Sequence, residues 1–185
     1  GLAWLEELVG FEVCIHTEAS PTLSPAKASS QVDVLKVKDI FPASLKVLLF
    51  YFSGSWCPLC QDFDKMVREV YTGLKAMPDS GIVELIWVSC DASETGYKDH
   101  LRSLANIFAV PYDAERLEAI ADRFDVEVMP ALLAVDAATG NCITADGRAQ
   151  VVAALATGEA EILVAKSLFT CWREGLAMNG GKQKT

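Results

Sequence analysis

Cys57 and Cys60 stand three positions apart in Trp56-Cys57-Pro58-Leu59-Cys60, the segment of this 185-residue chain whose residue types and spacing best suit chemistry. A thiolate attacks a partner disulfide, and a second thiol within reach resolves the mixed disulfide that forms. The first sulfur then needs a place that favours its anion, and the second must return to the same side. Residues 47–52 form a continuous apolar and aromatic run, the pattern of a strand buried on both faces. Ser53-Gly54-Ser55 makes a turn, and from about Cys57 the residues Phe63, Met66, Val67, Val70, Tyr71 and Leu74 recur at helical spacing. Asp62 and Asp64 are read into the first turn, and Pro78 lies just beyond the end. Cys57 thus falls at the amino end of a helix, where unsatisfied N–H groups and the macrodipole stabilise a thiolate. Pro58 fits the first helical turn, and Cys60 returns to the same face within disulfide reach. The pair is expected to act as nucleophile and resolving thiol with no bound cofactor, its own redox-active disulfide carrying the electrons.

The other cysteines read differently. Cys14, Cys90, Cys142 and Cys171 are dispersed, which does not suit a disulfide framework. Cys14, Cys142 and Cys171 are expected to be small buried hydrophobes. His16 and His100 each stand without a metal-ligand spacing, so no metal site is expected.

The surrounding pattern supplies the scaffold. Residues 5–15 suit a strand or short helix, residues 19–31 a Ser-, Pro- and Ala-rich loop, and residues from Val32 an edge strand. Residues 82–88 read as a second buried strand, which with the helix from Cys57 makes a parallel, right-handed crossover. Helices are expected over 94–107 and 114–124, then Pro130 and a strand over 131–135. Thr139-Gly140-Asn141 suits a hairpin into Cys142–Thr144. A final helix carries Ile162, Leu163, Leu168, Phe169 and Trp172, and residues 178–185 are expected to form a flexible tail. The fold class is α/β, a mixed β-sheet flanked by helices. One domain is expected over 1–185, its core at about 32–177.

With 51% hydrophobic residues and a formal net charge of −9, the chain suits a well-buried core and opposes a nucleic-acid phosphate backbone as ligand. No apolar run approaches the roughly 18 residues that span a bilayer, so no membrane association is expected. A cytoplasmic location is favoured, with an organelle as the alternative because the chain begins at Gly1 without a methionine.

Phe50-Tyr51-Phe52-Ser53-Gly54-Ser55-Trp56-Cys57-Pro58-Leu59-Cys60 resembles the thioredoxin superfamily, and within it the tryparedoxins and nucleoredoxins, with their Ser-x-Ser-Trp-Cys-Pro-Pro-Cys. Phe124-Asp125-Val126-Glu127-Val128-Met129-Pro130-Ala131-Leu132 looks like their second hallmark. Val135-Asp136-Ala137-Ala138-Thr139-Gly140 and Ile86-Trp87-Val88-Ser89-Cys90-Asp91 also look like tryparedoxin segments, so the resemblance covers roughly residues 32–152. It implies a thioredoxin-like fold with a cis Pro130 facing the redox pair, and a Met129 backbone edge offered to the substrate chain. Trp56 and Pro58 would add an apolar platform beside the thiol. Arg148 matches an arginine near the substrate site.

Three departures bear on specificity. Leu59 replaces the second proline of the motif, Gln61 stands where tryparedoxins usually carry arginine, and Cys90 replaces the tryptophan of their Trp-Asp pair. Cys90 is therefore read as a buried thiol with an auxiliary redox role as the alternative. Tyr51 occupies the position, six before Cys57, where thioredoxins place a buried aspartate, which predicts different proton handling. Gly54 replaces the Thr or Ser of peroxiredoxin sites and opposes that reading; an iron–sulfur carrier is a minor alternative. The resemblance implies a monomeric protein-disulfide reductase. It would take electrons from trypanothione or another small dithiol and pass them to disulfide-containing proteins such as peroxidases. The alternative is a nucleoredoxin-like binding module whose redox state governs association.

Overall fold

The computed structural model describes residues 2–17 and 31–180, the last two by backbone alone. The loop expected over 19–31 therefore lies outside the described residues except for Gln31, as does the tail beyond 180. In chain order the elements are α1 (Ala3–Val9), β1 (Glu12–Thr17), β2 (Gln31–Lys36), α2 (Val37–Ile40), β3 (Val47–Ser53), α3 (Pro58–Ala76) and β4 (Val83–Ser89). They continue with α4 (Glu94–Ser103), β5 (Phe108–Ala109), α5 (Ala114–Arg123), β6 (Ala131–Asp136), β7 (Cys142–Thr144), α6 (Gly147–Leu155) and α7 (Glu161–Gly180).

The strands form one mixed sheet in the order β2-β1-β5-β4-β3-β6-β7. β3 pairs in parallel with β4 and antiparallel with β6, while β7 turns back on β6 as the hairpin residues imply. β2 lies at the sheet edge. The uninterrupted apolar run of β3 follows from its two buried faces. Val47, Leu49 and Tyr51 join the layer holding α3, α4 and α7. Leu48, Phe50 and Phe52 join the layer holding α1, α2 and α5.

Three expectations are corrected, and one helix is added. The helix expected to reach 107 stops at Ser103, because Asn106 turns the chain through φ 66 before β5. The final helix is present as α7, and the sequence reading assigned no helix to α6, which precedes it and is separated from it by a bend at Gly158 with φ 71. Cys14 is buried as expected, but Cys142 on edge strand β7 and Cys171 on the outer side of α7 are exposed. Asp62 and Asp64 lie past the first turn of α3, because that helix already begins at Pro58.

Candidate redox site

The turn between β3 and α3 builds the site. Cys57 is the N-cap of α3 in extended conformation (φ −99, ψ 111), and Pro58 starts the helix without needing an N–H partner. The cap oxygen that serine or aspartate would supply is replaced by sulfur: the Cys60 N–H donates to Cys57 Sγ across 3.3 Å. Cys57 N–H donates to the Gly54 carbonyl, and Gln61 Nε2 donates to the Ser55 carbonyl across 3.0 Å, closing the turn onto the helix. Cys57 keeps 7% of its surface and Cys60 none, so Cys57 is the sulfur that an incoming disulfide meets first. Burial pushes the Cys60 thiol up to about 12, with the contact to Cys57 and the nearby Asp64 charge acting in the same direction.

Around Cys57 the surface is apolar. Trp56 is 61% exposed, and Leu59 is similarly open. The Trp56 ring leans across the turn and donates from Nε1 to the Cys90 carbonyl at 3.1 Å. This placement requires Gly54, where a Cβ would stand 2.5 Å from Trp56 Nε1. Cys90 follows β4 directly and donates its N–H to the Ser53 carbonyl, which brings it to the same end of the sheet. Its thiol is partly buried, and burial, Asp91 and the Cys57 charge push it up to about 12.

The register of β3 with β6 brings the second segment alongside. Ala131 pairs with Phe52, so Pro130 falls opposite the last residue of β3. The Met129–Pro130 bond is cis. Met129 is half-buried and Pro130 buried. Arg148 reaches back from the first turn of α6, its Nη1 3.5 Å from the Pro130 carbonyl. Trp56, Cys57, Pro58, Cys60, Cys90, Met129, Pro130 and Arg148 thus gather at one end of the sheet.

Beneath this end lies a buried polar chain that the sequence reading passed over. Tyr51 donates to Asp64 Oδ1 at 2.5 Å, and Asp64 Oδ2 is 2.9 Å from His100 Nε2. His100 Nδ1 is 3.2 Å from Asp91 Oδ2. Asp91 Oδ1 accepts from both the N–H and the hydroxyl of Ser55, at 2.7 and 2.6 Å, and Oδ2 accepts from Ser89. Burial alone would lower the His100 imidazole, yet the two carboxylates outweigh it and raise it to about 9. Burial likewise opposes ionised Asp91, but hydrogen bonds from His100, Ser55 and Ser89 hold it down at about 2. Burial and the Asp64 charge raise Tyr51 far above its ordinary value. A signal for these residues was present. Asp64 shares a helical stripe with Cys60, Val67 and Tyr71, as His100 does with Tyr97, Leu101 and Leu104, so each is a polar residue on an apolar face.

No group of three or more His, Cys, Asp or Glu residues among those described could hold a metal ion. No described helix is long and apolar enough to cross a membrane. The arrangement offers two adjacent thiols of unequal access and a buried charged array below them.

Comparison with known proteins agrees with this architecture. A thioredoxin-like family model matches residues 44–142. Probable nucleoredoxin 3 of Oryza sativa subsp. japonica is 32% identical over 103 residues, 56% of this chain and 21% of that protein. The chain therefore spans about a fifth of the length of that nucleoredoxin. Native tryparedoxin I from Crithidia fasciculata superposes with a TM-score of 0.62 at 27% identity, covering 80% of this chain and 90% of that one. Tryparedoxin II in complex with glutathionylspermidine gives a TM-score of 0.55 at 31% identity, over 61% of this chain and 77% of that one. With a thioredoxin-like fold and a family match across more than half its length, the chain belongs to the thioredoxin-like family, related to the tryparedoxins and nucleoredoxins.

Proposed function

We propose that this chain is a thiol-disulfide oxidoreductase of tryparedoxin type. The observation that carries the reading is the Cys60 N–H aimed at Cys57 Sγ across 3.3 Å at the start of α3, which joins two unequal thiols in one helical turn. Cys57 as thiolate attacks one sulfur of a substrate disulfide, whose S–S bond breaks to release the other sulfur as a thiolate. Cys60 then attacks Cys57 Sγ, closing the Cys57–Cys60 disulfide and freeing the second substrate thiol. Two electrons have moved from the protein to the substrate, and a small dithiol returns them by the reverse exchanges.

Trp56, Pro58 and the Met129–Pro130 backbone serve as the docking rim for the substrate, with Arg148 orienting the Pro130 segment. A dithiol of trypanothione type is the proposed donor. The glutathionylspermidine bound by a structural relative supports it, as does the net acidity of the chain toward a polyamine-bearing thiol. Disulfide-containing proteins such as peroxidases are the proposed acceptors, the chain acting as a monomeric single domain in the cytoplasm. Cys90 stays outside the cycle, because it follows β4 and does not share the helical turn in which the Cys60 N–H meets Cys57 Sγ.

The test is disulfide reduction by wild type and Cys57→Ser, coupled in parallel to trypanothione, glutathione and thioredoxin reductase. Turnover with trypanothione that vanishes in Cys57→Ser is expected. The similarity to nucleoredoxin favours a second reading, a binding module. Oxidation-dependent partner binding without turnover from any donor would replace the first reading with that one.

A further inference from the structure

The two edges of the sheet are built differently. β7 has three residues and a register shift against β6, which gives a further strand little to pair with. β2 has six, in unbroken register with β1 from Glu12 opposite Lys36 to Thr17 opposite Gln31, and no described strand pairs with its outer side. The Val37 N–H donates to the Phe11 carbonyl across 2.9 Å, which makes these two a hydrogen-bonded pair one step beyond that register. The alternation of antiparallel pairs then gives the main-chain groups of Gln31, Asp33 and Leu35 to β1. It turns outward those of Val32 and Val34, together with the N–H of Lys36.

The side chains on one face of this edge are also open. Val32, Val34 and Lys36 alternate onto the face that carries Cys14, which belongs to the layer holding α3, α4 and α7. Val32 is 45% and Val34 56% exposed. A cleft of about 460 Å³ separates Val32 from α4, floored by Cys14, Tyr97, Leu101 and Tyr112. Lys98 and Arg102 stand at its rim with Glu94. The Lys98–Glu94 and Arg102–Asp99 pairs, each 2.8 Å, lie on the exposed surface of α4, where such pairs are weak and give way readily to another anion.

An open edge with exposed valines is a template for a further strand, and the cations at its two ends state which strand. Lys36 closes one end of the face, and Lys98 and Arg102 close the other, beyond Val32, in a chain whose net charge is −9. We propose that the outer edge of β2 binds an extended acidic segment of another protein, added to the sheet as an antiparallel strand, with an apolar side chain on Val34 and a carboxylate on either side of it. In its simplest form the segment reads Glu-x-Val-x-Glu, with the three named residues facing α4. Its valine lies on Val34, its first glutamate meets Lys36, and its second passes over Val32 to Lys98 and Arg102. Main-chain bonds to Val32 and Val34 hold the strand, and the cationic ends select it. A second copy of β2 fits less well. Antiparallel pairing about Val34 sets Lys36 of each copy opposite Val32 of the other, beside Lys98 and Arg102, where like charges repel. Three strands lie between β2 and β3, so the bound segment leaves the Cys57 turn open, and the proposal is independent of the exchanging pair.

The experiment titrates a dye-labelled, end-capped peptide, Thr-Glu-Thr-Val-Thr-Glu-Thr, with the full chain and follows fluorescence anisotropy. Saturable binding is expected. Methylating the nitrogen of the peptide's valine removes the main-chain donor opposite Val34, and lysine in place of both glutamates reverses the charge; each is expected to weaken binding about ten-fold or more. Lys98→Glu with Arg102→Glu is expected to weaken it about ten-fold. Val34→Pro removes an N–H that β1 does not use, so the fold should persist while binding is lost. No saturable binding, equal binding of the methylated or lysine-bearing peptide, or undiminished binding to the Lys98→Glu, Arg102→Glu chain would each overturn the proposal. Concentration-dependent dimers of the chain that Val34→Pro dissolves would overturn it in favour of self-pairing. Should Val34→Pro not fold, the methylated peptide gives the same reading with the protein unaltered.

Discussion

The Tyr51 hydroxyl donates to Asp64 Oδ1 across 2.5 Å, binding the central strand β3 to the helix that carries Cys60. Both groups are buried, so removing the hydroxyl leaves a carboxylate oxygen without that partner and without water to replace it. Tyr51→Phe is expected to lower stability by about 1–3 kcal/mol in urea unfolding. An unchanged midpoint and slope would mean that this contact contributes nothing net.

His100 makes stability depend on pH. Its folded value of about 9 lies above its ordinary 6.5, so its contribution is complete below pH 6.5 and is lost as pH rises through about 9. The difference corresponds to about 3 kcal/mol at most. Asp91 works in the opposite direction. Held at about 2, it contributes above its ordinary 3.8, and that contribution fades as pH falls toward 2. Thermal unfolding of wild type should therefore lose stability between pH 7 and 10 more steeply than that of His100→Gln. Parallel curves would contradict the charge assignment.

Gly54→Ala tests the seat of Trp56. The new methyl group would meet Trp56 Nε1 at 2.5 Å, so the indole must leave the Cys90 carbonyl and the platform beside Cys57 shifts. Reduction of a protein disulfide is expected to slow by about 10- to 100-fold, the scale set by misplacing a positioning group. Tryptophan fluorescence should change with it while the far-ultraviolet spectrum stays the same. Wild-type turnover with a displaced indole would show that Trp56 does not position the substrate.

The final helix tests whether the described residues unfold as one unit. Trp172 of α7 is fully buried in the layer that also holds Tyr51 and Phe63, and its Nε1 donates to Gln150 Oε1 of α6 at 2.9 Å. Trp172→Ala is expected to cost about 3–5 kcal/mol in a single unfolding transition. Separate transitions, one retaining the redox turn, would make α7 an accessory to the core.

What could be read in the sequence follows from where local chemistry decides the structure. The apolar run of β3, the Cys57-Pro58 helix start and the Thr139-Gly140-Asn141 turn are each specified by adjacent residues, and each is present. β5 has two residues and depends on its neighbours, so no periodicity announces it. The helix expected to reach 107 failed at Asn106, whose left-handed backbone is set by the return to the sheet. The polar array was hidden for a related reason. Asp64, Asp91 and His100 lie on separate elements, and only the packing of α3 against α4 and the end of β4 brings them together. Each polar residue on an apolar helical stripe was a readable sign of a buried partner, though the partner's identity came only from the fold.

The most direct test of the account is the disulfide formed by a single turnover. Reduced protein mixed with one equivalent of a substrate disulfide, then alkylated and mapped by mass, should yield one intramolecular bond joining Cys57 to Cys60, in step with one equivalent of substrate dithiol. A bond from Cys57 to Cys90, or released dithiol with both cysteines of the pair still alkylated, would contradict it.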